Sequence, residues 1–383
     1  MISLPSPPPE QLAHSADVTA AIRAEIAASD GWISFSRFME IALYAPGLGY
    51  YSAGMQKFGA GGDFVTAPEI SSLFGRTLAR QVAQVVKASD GDVMELGAGT
   101  GRLAVQLLAE LQRLNALPGR YLILEVSAHL RAVQQETILR ELPAALASRV
   151  EWLDALPEKF AGCMVGNEVL DALPVHLVAQ REDGLCERGV GVEGDALVWR
   201  ERTIDGALAN TARAFALPPG YVTEICQAAP ALIASLAESL QHGALLLIDY
   251  GFPRREYYHP QRSGGTLMCH YRHHAHDDPF LYPGLQDITA HVDFTSIAEA
   301  GVVHGLHASG YVSQAQFLIN SGITDLLTQV SPSDATAYFP LAAEAQKLIS
   351  PAEMGELFKV IALSKGVNEP LLGFARGDKR HTL

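Results

Sequence analysis

The stretch Glu95-Leu-Gly-Ala-Gly-Thr-Gly101 begins within the short apolar run Val93-Met-Glu-Leu96. Glycines that follow a strand in this way favour a tight turn into a helix, where a ligand can reach backbone amides. The dinucleotide fingerprint G-x-G-x-x-G would need a glycine at Arg102, so the spacing is E-x-G-x-G-x-G instead. The stretch predicts a ligand loop at the carboxyl edge of a parallel sheet, with a purely structural turn as the alternative.

Short apolar runs alternate with helical patterns around this loop, which predicts parallel strands joined by right-handed crossovers. Strands are predicted at residues 93–96, 121–125, 150–153, 162–166, 244–249, 302–306 and 357–363. Helices are predicted at residues 102–114, 128–140, 294–300 and 314–319, and His242-Gly243 is typical of a helix end. The expected fold is α/β, with a Rossmann-like core and a seven-stranded, mostly parallel sheet.

The remaining segments are expected to form an extension and two insertions. The helical extension includes helices at 16–28 and 34–43, a glycine-rich loop at 59–64, and a helix opened by the capping-box spacing of Thr66-Ala-Pro-Glu69. The first insertion is predicted to contain a β-hairpin at 181–202. The predicted segments are 1–90 (extension), 91–175 (core), 176–220 (insertion), 221–251 (core), 252–293 (insertion or lid), 294–366 (core) and 367–383 (tail).

Composition restricts the class of protein. The 383 residues are 48% hydrophobic and carry a formal charge of −14, which permits a large core and disfavours nucleic acid as a partner. Four widely spaced cysteines, with no C-x-x-C pair, argue against a zinc ribbon, a redox dithiol or a disulfide scaffold. No apolar run approaches the ~20 residues of a membrane span, and the proline-rich start lacks signal-peptide character. We expect a cytoplasmic protein without membrane insertion, of undetermined oligomeric state.

Acidic side chains follow two further predicted strands at the same sheet edge. Glu125 ends the second strand, where its carboxylate is placed to accept hydrogen bonds from both hydroxyls of a ribose; an exposed strand-end glutamate is the alternative. Asn167, Glu168 and Asp171 follow the fourth strand and are candidates for substrate or cofactor contact. Their alternative role is to compensate backbone amides at a helix start.

With these residues in place, the chain resembles the MidA family of class I S-adenosylmethionine-dependent methyltransferases over roughly residues 30 to 365. The motifs that carry the resemblance are Gly62-Asp-Phe-Val-Thr-Ala-Pro-Glu69, Glu95-Leu-Gly-Ala-Gly-Thr-Gly101, Leu124-Glu-Val-Ser127, Gly166-Asn-Glu-Val-Leu-Asp-Ala-Leu-Pro174, Asp249-Tyr-Gly251 and Asp287-Ile-Thr-Ala-His-Val-Asp-Phe294. Ala98 stands where the family often has proline, a small departure that leaves the turn intact. The resemblance implies a class I methyltransferase core.

The resemblance also implies S-adenosylmethionine as cofactor, with the glycine loop on its methionine part and the acid after the second strand on its ribose. The residues predicted to bind the cofactor are Asp63, Thr66, Glu95, Gly97, Gly99, Gly101, Glu125, Val126, Ser127 and Asn167. Asp63 and Thr66 also have local roles, in a turn and a helix cap, as alternatives.

Glu168, Asp171 and His291 are the predicted catalytic residues. Mitochondrial relatives methylate an arginine in a respiratory-complex subunit, so the resemblance implies a protein substrate, with such a subunit as one candidate. Carboxylates suit this acceptor because they can orient a guanidinium and concentrate its charge away from the reacting nitrogen.

The run His270-Tyr-Arg-His-His-Ala-His276 is a tempting metal site, but its spacing fits no ligand pattern, and no metal is predicted. The resemblance favours a lid or a substrate-docking surface there. Three other functions remain: a small-molecule N- or O-methyltransferase, an assembly factor that binds S-adenosylmethionine without turnover, and a nicotinamide oxidoreductase. Arg102 weighs against the last of these.

Overall fold

A computed structural model describes residues 4–53 and 65–383 of this chain. The strands in the described residues are β1 (Asp92–Leu96), β2 (Tyr121–Leu124), β3 (Val150–Leu153), β4 (Phe160–Asn167), β5 (His176–Arg181), β6 (Gly184–Glu193), β7 (Ala196–Thr203), β8 (Val222–Ile225), β9 (Leu240–Phe252), β10 (Met268–Tyr271), β11 (His274–His276), β12 (Asp287–Thr289), β13 (Val292–Asp293), β14 (His307–Ser313) and β15 (Phe358–Lys365).

The α-helices in the same residues are α1 (Pro9–Ala28), α2 (Phe35–Tyr44), α3 (Ala67–Ile70), α4 (Ser72–Ser89), α5 (Arg102–Arg113), α6 (Ala128–Glu141), α7 (Ala144–Ala147), α8 (Gly206–Ala214), α9 (Ala228–Ser239), α10 (Arg254–Tyr257), α11 (Phe294–Val303), α12 (Gln314–Asn320), α13 (Ile323–Leu327) and α14 (Ala335–Ile349). Short 3-10 helices lie at Pro260–Arg262, Leu372–Phe374 and Arg380–Thr382. No helix in the described residues is long and apolar enough to cross a membrane.

The chain divides into two compact units. We call Val65–Val169, Pro230–Pro253 and Val292–Leu383 the core unit. Met1–Phe64, Leu170–Ala229 and Arg254–His291 form the accessory unit. This grouping differs from the segments expected from sequence, because α4 belongs to the core unit and not to an N-terminal extension.

The core unit is built on one large sheet with the strand order β14-β15-β9-β4-β1-β2-β3. Its strands are parallel except β15, which runs antiparallel to both of its neighbours. The short β13 adds a parallel pairing to the end of β9. The expected α/β fold with a seven-stranded, mostly parallel sheet is therefore confirmed, with β13 as an additional strand.

Buried apolar residues on α4, α5 and the central strands form the main core of this unit. The run Ala244-Leu-Leu-Leu-Ile248 of β9 is buried throughout, as expected for a strand covered on both faces. The helix predicted to begin at Thr66 is instead two helices. The Thr66 side chain makes no capping hydrogen bond, whereas the Ser71 hydroxyl accepts one from the Leu73 amide, 3.2 Å away, and begins α4.

Two further local predictions were wrong. His242-Gly243 lies inside β9, because α9 ends earlier, at Ser239. Residues 302–306, predicted as a strand, contain the end of α11 and its C-terminal turn. There the Leu306 amide donates to the Gly301 carbonyl across a left-handed Gly305. This glycine ends the helix, and the last two valines of the helix are exposed. The strand was predicted wrongly because valines, as β-branched residues, are common in strands.

The accessory unit contains two antiparallel sheets, ordered β7-β6-β5-β8 and β11-β10-β12. The hairpin predicted at 181–202 is confirmed as β6 and β7. An apolar cluster built around Phe35, Phe38 and Met39 of α2 packs with residues of α1 and β6. All four cysteines of the chain are free thiols.

Candidate functional site

The turn after β1 exposes its backbone at the carboxyl edge of the core unit's sheet. Gly97, Gly99 and Gly101 have φ angles of +61°, +52° and +82°, a left-handed region that favours glycine. The Gly97 amide donates to the Leu124 carbonyl, 3.1 Å away, which ties the turn to the end of β2. Because Gly101 is the N-cap of α5, the first amides of that helix and its dipole favour a negatively charged ligand group here.

Glu95 lies beneath this turn and is only 2% exposed. The Tyr121 hydroxyl donates to its Oε2 at 2.6 Å. Burial raises the pKa of Glu95 to about 7, although the bond from Tyr121 opposes the rise. The structure thus places this predicted cofactor ligand inside the sheet, where it joins β1 to β2. A direct contact between Glu95 and the cofactor stays a prediction.

Glu125 follows β2 and is held by helix α6. Its Oε1 accepts from the Ser127 amide at 2.9 Å, and its Oε2 accepts from Gln134 Nε2 at 3.0 Å. A carboxylate oxygen can accept two hydrogen bonds, so both oxygens keep capacity for ribose hydroxyls. Val126 is next to it and is 82% exposed, which leaves an apolar surface for an adenine ring. Ser127 caps α6 by accepting from the Leu130 amide, 3.3 Å away.

Gln134 is a residue that the sequence analysis missed. It is completely buried, and its Nε2 donates to the Gly99 carbonyl at 3.1 Å as well as to Glu125. Its Oε1 accepts from Trp152 Nε1 at 2.9 Å. The signal that can reveal such a residue is a polar side chain on the inward face of a helix that follows a ligand-binding strand.

The turn after β4 presents side chains. Glu168 has a φ of +54°, and its amide donates to the Ile248 carbonyl at 2.9 Å. Asn167 Nδ2 donates to Glu168 Oε1 at 2.9 Å, whereas Asn167 Oδ1 is buried and accepts no hydrogen bond within the described residues. That carbonyl oxygen suits an amino group of a ligand. Asp249, which the resemblance included without a role, fixes the turn because its Oδ2 accepts from the Val169 amide, 3.1 Å away.

A further carboxylate fastens the glycine turn from the side of α3. Glu69 accepts a hydrogen bond from the Thr100 hydroxyl, and its Oε2 lies 3.8 Å from Arg102 Nε. The resemblance implied a position beside the cofactor for Glu69, with a helix cap as the alternative, but the contacts to Thr100 and Arg102 were not predicted. Asp63, predicted to bind the cofactor, lies outside the described residues. Thr66 is within them, and its cofactor contact stays a prediction.

Asp171 and His291 belong to the accessory unit, unlike Glu168. Asp171 is 6% exposed, and its carbonyl accepts from the amide of Ala290, the neighbour of His291, at 3.0 Å. The His291 amide donates to Thr266 Oγ1, also at 3.0 Å. Their backbones are therefore brought together within that unit. The catalytic roles of both side chains stay predictions.

The histidine run forms the hairpin of β10 and β11. The pKa of His270 is lowered, first by burial and then by the neighbouring His276. Across residues 4–53 and 65–383, no group of three or more His, Cys, Asp or Glu side chains is arranged to hold a metal ion. The described residues therefore give no support to a metal site at the histidine run.

The carboxyl edge of the core unit combines the features that an adenosyl amino-acid ligand requires. It offers a turn without side chains, a braced carboxylate, an apolar side chain and a buried carbonyl oxygen, which belong to Gly97, Glu125, Val126 and Asn167. S-adenosylmethionine therefore fits the residues present.

Comparisons with known proteins agree with this chemistry. A family model described as S-adenosyl-L-methionine-dependent methyltransferase matches residues 76–312. Over 368 residues the chain is 30% identical to the protein arginine methyltransferase NDUFAF7, mitochondrial, of Mus musculus, covering 88% of this chain and 81% of the relative. The Danio rerio protein of the same name is 29% identical over 366 residues, covering 87% and 83%.

A solved structure matches the whole chain. This is the crystal structure of a Burkholderia thailandensis protein bound to S-adenosyl-homocysteine, whose sequence is 56% identical to this chain. The TM-score is 0.97, and the match covers 100% of both chains. A native crystal structure of a protein from the same organism matches with 55% identity and a TM-score of 0.95, again over both full chains.

Proposed function

We propose that this chain, which belongs to the MidA family of class I S-adenosyl-L-methionine-dependent methyltransferases, methylates an arginine side chain of a protein substrate. The enzyme class and the cofactor follow from the family. Curated relatives that match about nine-tenths of the chain are named protein arginine methyltransferases, which supports an arginine acceptor.

The placement of Glu168 is the observation that carries the proposal. Its carboxylate follows β4 at the carboxyl edge of the sheet, and Asn167 holds one of its oxygens. Val169 continues the same turn, and its Cγ2 lies 3.5 Å from the point where a Cβ on Gly97 would stand. Glu168 therefore directly precedes Val169, a neighbour of the glycine turn. Both lie at the sheet edge where class I methyltransferases bind their cofactor.

An arginine acceptor explains why a carboxylate is needed there. The guanidinium keeps its positive charge at all ordinary pH values and is a weak nucleophile. A carboxylate that accepts from two guanidinium nitrogens orients the group and draws positive charge towards them, which leaves the third nitrogen richer in electrons. In this proposal Glu168 is that carboxylate, and Asn167 keeps it in one orientation.

Bound S-adenosylmethionine supplies a methyl group on a sulfonium, and the transfer breaks its S–C bond, forms an N–C bond and releases one proton from the acceptor nitrogen. The chain's own contribution is positioning. Holding two reactants in line lowers the barrier without a strongly reactive side chain. The glycine turn and Glu125 hold the donor side in this scheme, and Glu168 holds the acceptor side.

The test is to identify the labelled product. The purified chain is incubated with methyl-labelled cofactor and two acceptor pools, one of extracted proteins that includes respiratory-complex subunits and one of small molecules. We expect label in protein, and methylarginine after acid hydrolysis. Label in the small-molecule pool, or on another amino acid, contradicts the proposal and favours a small-molecule or different protein methyltransferase. Cofactor binding without any labelled product favours an assembly factor.

The cytoplasmic location also remains a proposal. It is supported by the four free thiols, of which Cys163 and Cys269 are buried. Thiols persist in a reducing compartment. Immunodetection of the chain in fractionated host cells tests the location, and recovery in a membrane or exported fraction contradicts it.

A further inference from the structure

We propose that Gln134 is a positioning residue, which sets the affinity for S-adenosylmethionine by holding the glycine turn and Glu125 at a fixed separation. The inference rests on the cofactor and not on the identity of the methyl acceptor. It assigns a role to a helix residue that lies outside all of the sequence motifs carrying the family resemblance.

The hydrogen bonds of Gln134 determine which way its amide points. The indole nitrogen of Trp152 can only donate, so the Gln134 oxygen must face it, at 2.9 Å. The amide nitrogen then faces the opposite side, where its two hydrogens are used by the Gly99 carbonyl at 3.1 Å and Glu125 Oε2 at 3.0 Å. With no exposed surface, the side chain has no water to replace any of these partners.

These bonds connect the two groups that meet different parts of the cofactor. Gly99 belongs to the turn for the methionine part, and Glu125 is the carboxylate for the ribose. The helix also approaches the turn through its backbone, because a Cβ on Gly101 would lie 3.2 Å from Gln134 Cα. Gln134 therefore restrains both the separation of the two groups and the direction of the lone pairs on Glu125.

Calorimetric titration with S-adenosyl-homocysteine tests the role without requiring turnover. We expect Gln134→Met to weaken binding about tenfold, or about 1.4 kcal/mol, because the Gly99 carbonyl and Glu125 are then no longer held at a fixed separation. The matched control is Gln81→Met. Gln81 is equally buried on α4 and bonds the Gly373 amide and Gln84, so its loss is expected to lower the melting temperature and leave affinity unchanged.

A second variant separates positioning from simple loss of packing. Gln134→Glu places a carboxyl beside Glu125, and the two negative charges repel at high pH. At lower pH the new carboxyl is protonated and again donates one hydrogen bond. We expect the affinity of this variant for S-adenosyl-homocysteine to rise as the pH falls from 8 to 6, relative to the unsubstituted protein. A structural role alone predicts no such dependence.

A double-substitution cycle with Glu125→Ala completes the test. If Gln134 acts through Glu125, Gln134→Met weakens binding much less once Glu125 has been removed. The inference is overturned if folded Gln134 variants bind within twofold of the unsubstituted protein, or if the two substitutions are fully additive. Failure of the unsubstituted protein to bind S-adenosyl-homocysteine would instead contradict the cofactor assignment.

Discussion

Two turns at the same edge of the core unit's sheet both use left-handed backbone, but they use it differently. After β1 the left-handed positions are Gly97, Gly99 and Gly101, which carry no side chains. After β4 the position is Glu168, a residue for which this conformation costs roughly 1–2 kcal/mol. The first turn therefore lacks side chains and presents its backbone, whereas the second carries backbone strain and presents a carboxylate.

The strain at Glu168 persists because its surroundings determine the conformation. Bonds to the Ile248 carbonyl and from the Val169 amide to Asp249 hold the backbone on either side of it. Strained residues of this kind concentrate at functional sites, where the surrounding structure compensates for their cost. The first turn is thus suited to binding by the backbone, and the second to contact by a side chain.

The largest effect is expected from Gly97→Val, which breaks the first turn. A β-branched residue is poorly tolerated at a φ of +61°, and its side chain would occupy the surface that the ligand meets. We expect affinity for S-adenosyl-homocysteine to fall about a thousandfold or more, by roughly 4 kcal/mol, in calorimetric titration.

The control for this substitution is Gly305→Val. Gly305 has a φ of +81° with open space around its missing Cβ, and it ends α11 outside the candidate site. Its replacement is expected to reduce stability by a comparable backbone penalty while affinity stays unchanged. A folded Gly97→Val protein with unaltered affinity would remove the turn from the cofactor site.

The second turn is tested by Glu168→Gln, which keeps the shape of the side chain and removes its charge. We expect turnover to fall roughly 100-fold, a loss typical of removing one group that acts electrostatically in the transition state. The KM for the cofactor should hardly change, because the glycine turn is intact. Glu158→Gln, at an exposed position, is the control. Equal turnover of the two variants would exclude Glu168 from catalysis.

The carboxyl beneath the first turn gives a pH prediction. Folding raises the pKa of Glu95 from 4.5 to about 7, chiefly through burial, so the folded state binds the extra proton between these values. The free energy of unfolding is therefore highest at low pH in this window. We expect the contribution of Glu95 to fall by about 2 kcal/mol between pH 5 and 7. Urea unfolding of the unsubstituted protein and Glu95→Gln measures it, and identical pH profiles would contradict it.

A smaller effect is expected at a third turn, which follows β2. Val126 is 82% exposed, so Val126→Ala should leave stability unchanged. If an adenine ring covers this side chain, binding of S-adenosyl-homocysteine should weaken roughly tenfold, because Val→Ala removes two methyl groups that are each worth about 0.8 kcal/mol when buried. Val303→Ala, at a site that is 79% exposed on α11, is the matched control. Equal affinities of the two variants would place the adenine elsewhere.

Much of the core unit was predictable because its signals are local. Alternating apolar runs predicted most ends of the strands near the glycine turn to within about one residue. Both ends of β3, Val150–Leu153, lie where they were predicted. The end of α11 was mistaken because its valines favour strands, and the decisive Schellman bonds at Gly305 depend on three-dimensional closure. The periodicity of apolar residues likewise could not predict which segments group into each of the two units.

For the candidate site, the sequence was enough to propose Glu125 and Glu168, because polar residues that directly follow strands can be recognised from the sequence; their roles stay predictions. It did not supply Gln134, whose partners are 35 residues away at Gly99, nine at Glu125 and 18 at Trp152. Nor did it show that Glu95 points into the sheet towards Tyr121. These contacts depend on side-chain direction and on which strands become neighbours.

Strand periodicity and glycine spacing are properties of the local chain, so they were enough to predict the class of the fold and the chemistry of the sheet edge. Which groups brace that edge depended on how the helices and strands pack together. Gln134 becomes the link between a turn and a carboxylate only after α6 packs beside the sheet, since hydrogen bonds act over about 3 Å in space whatever the separation along the chain.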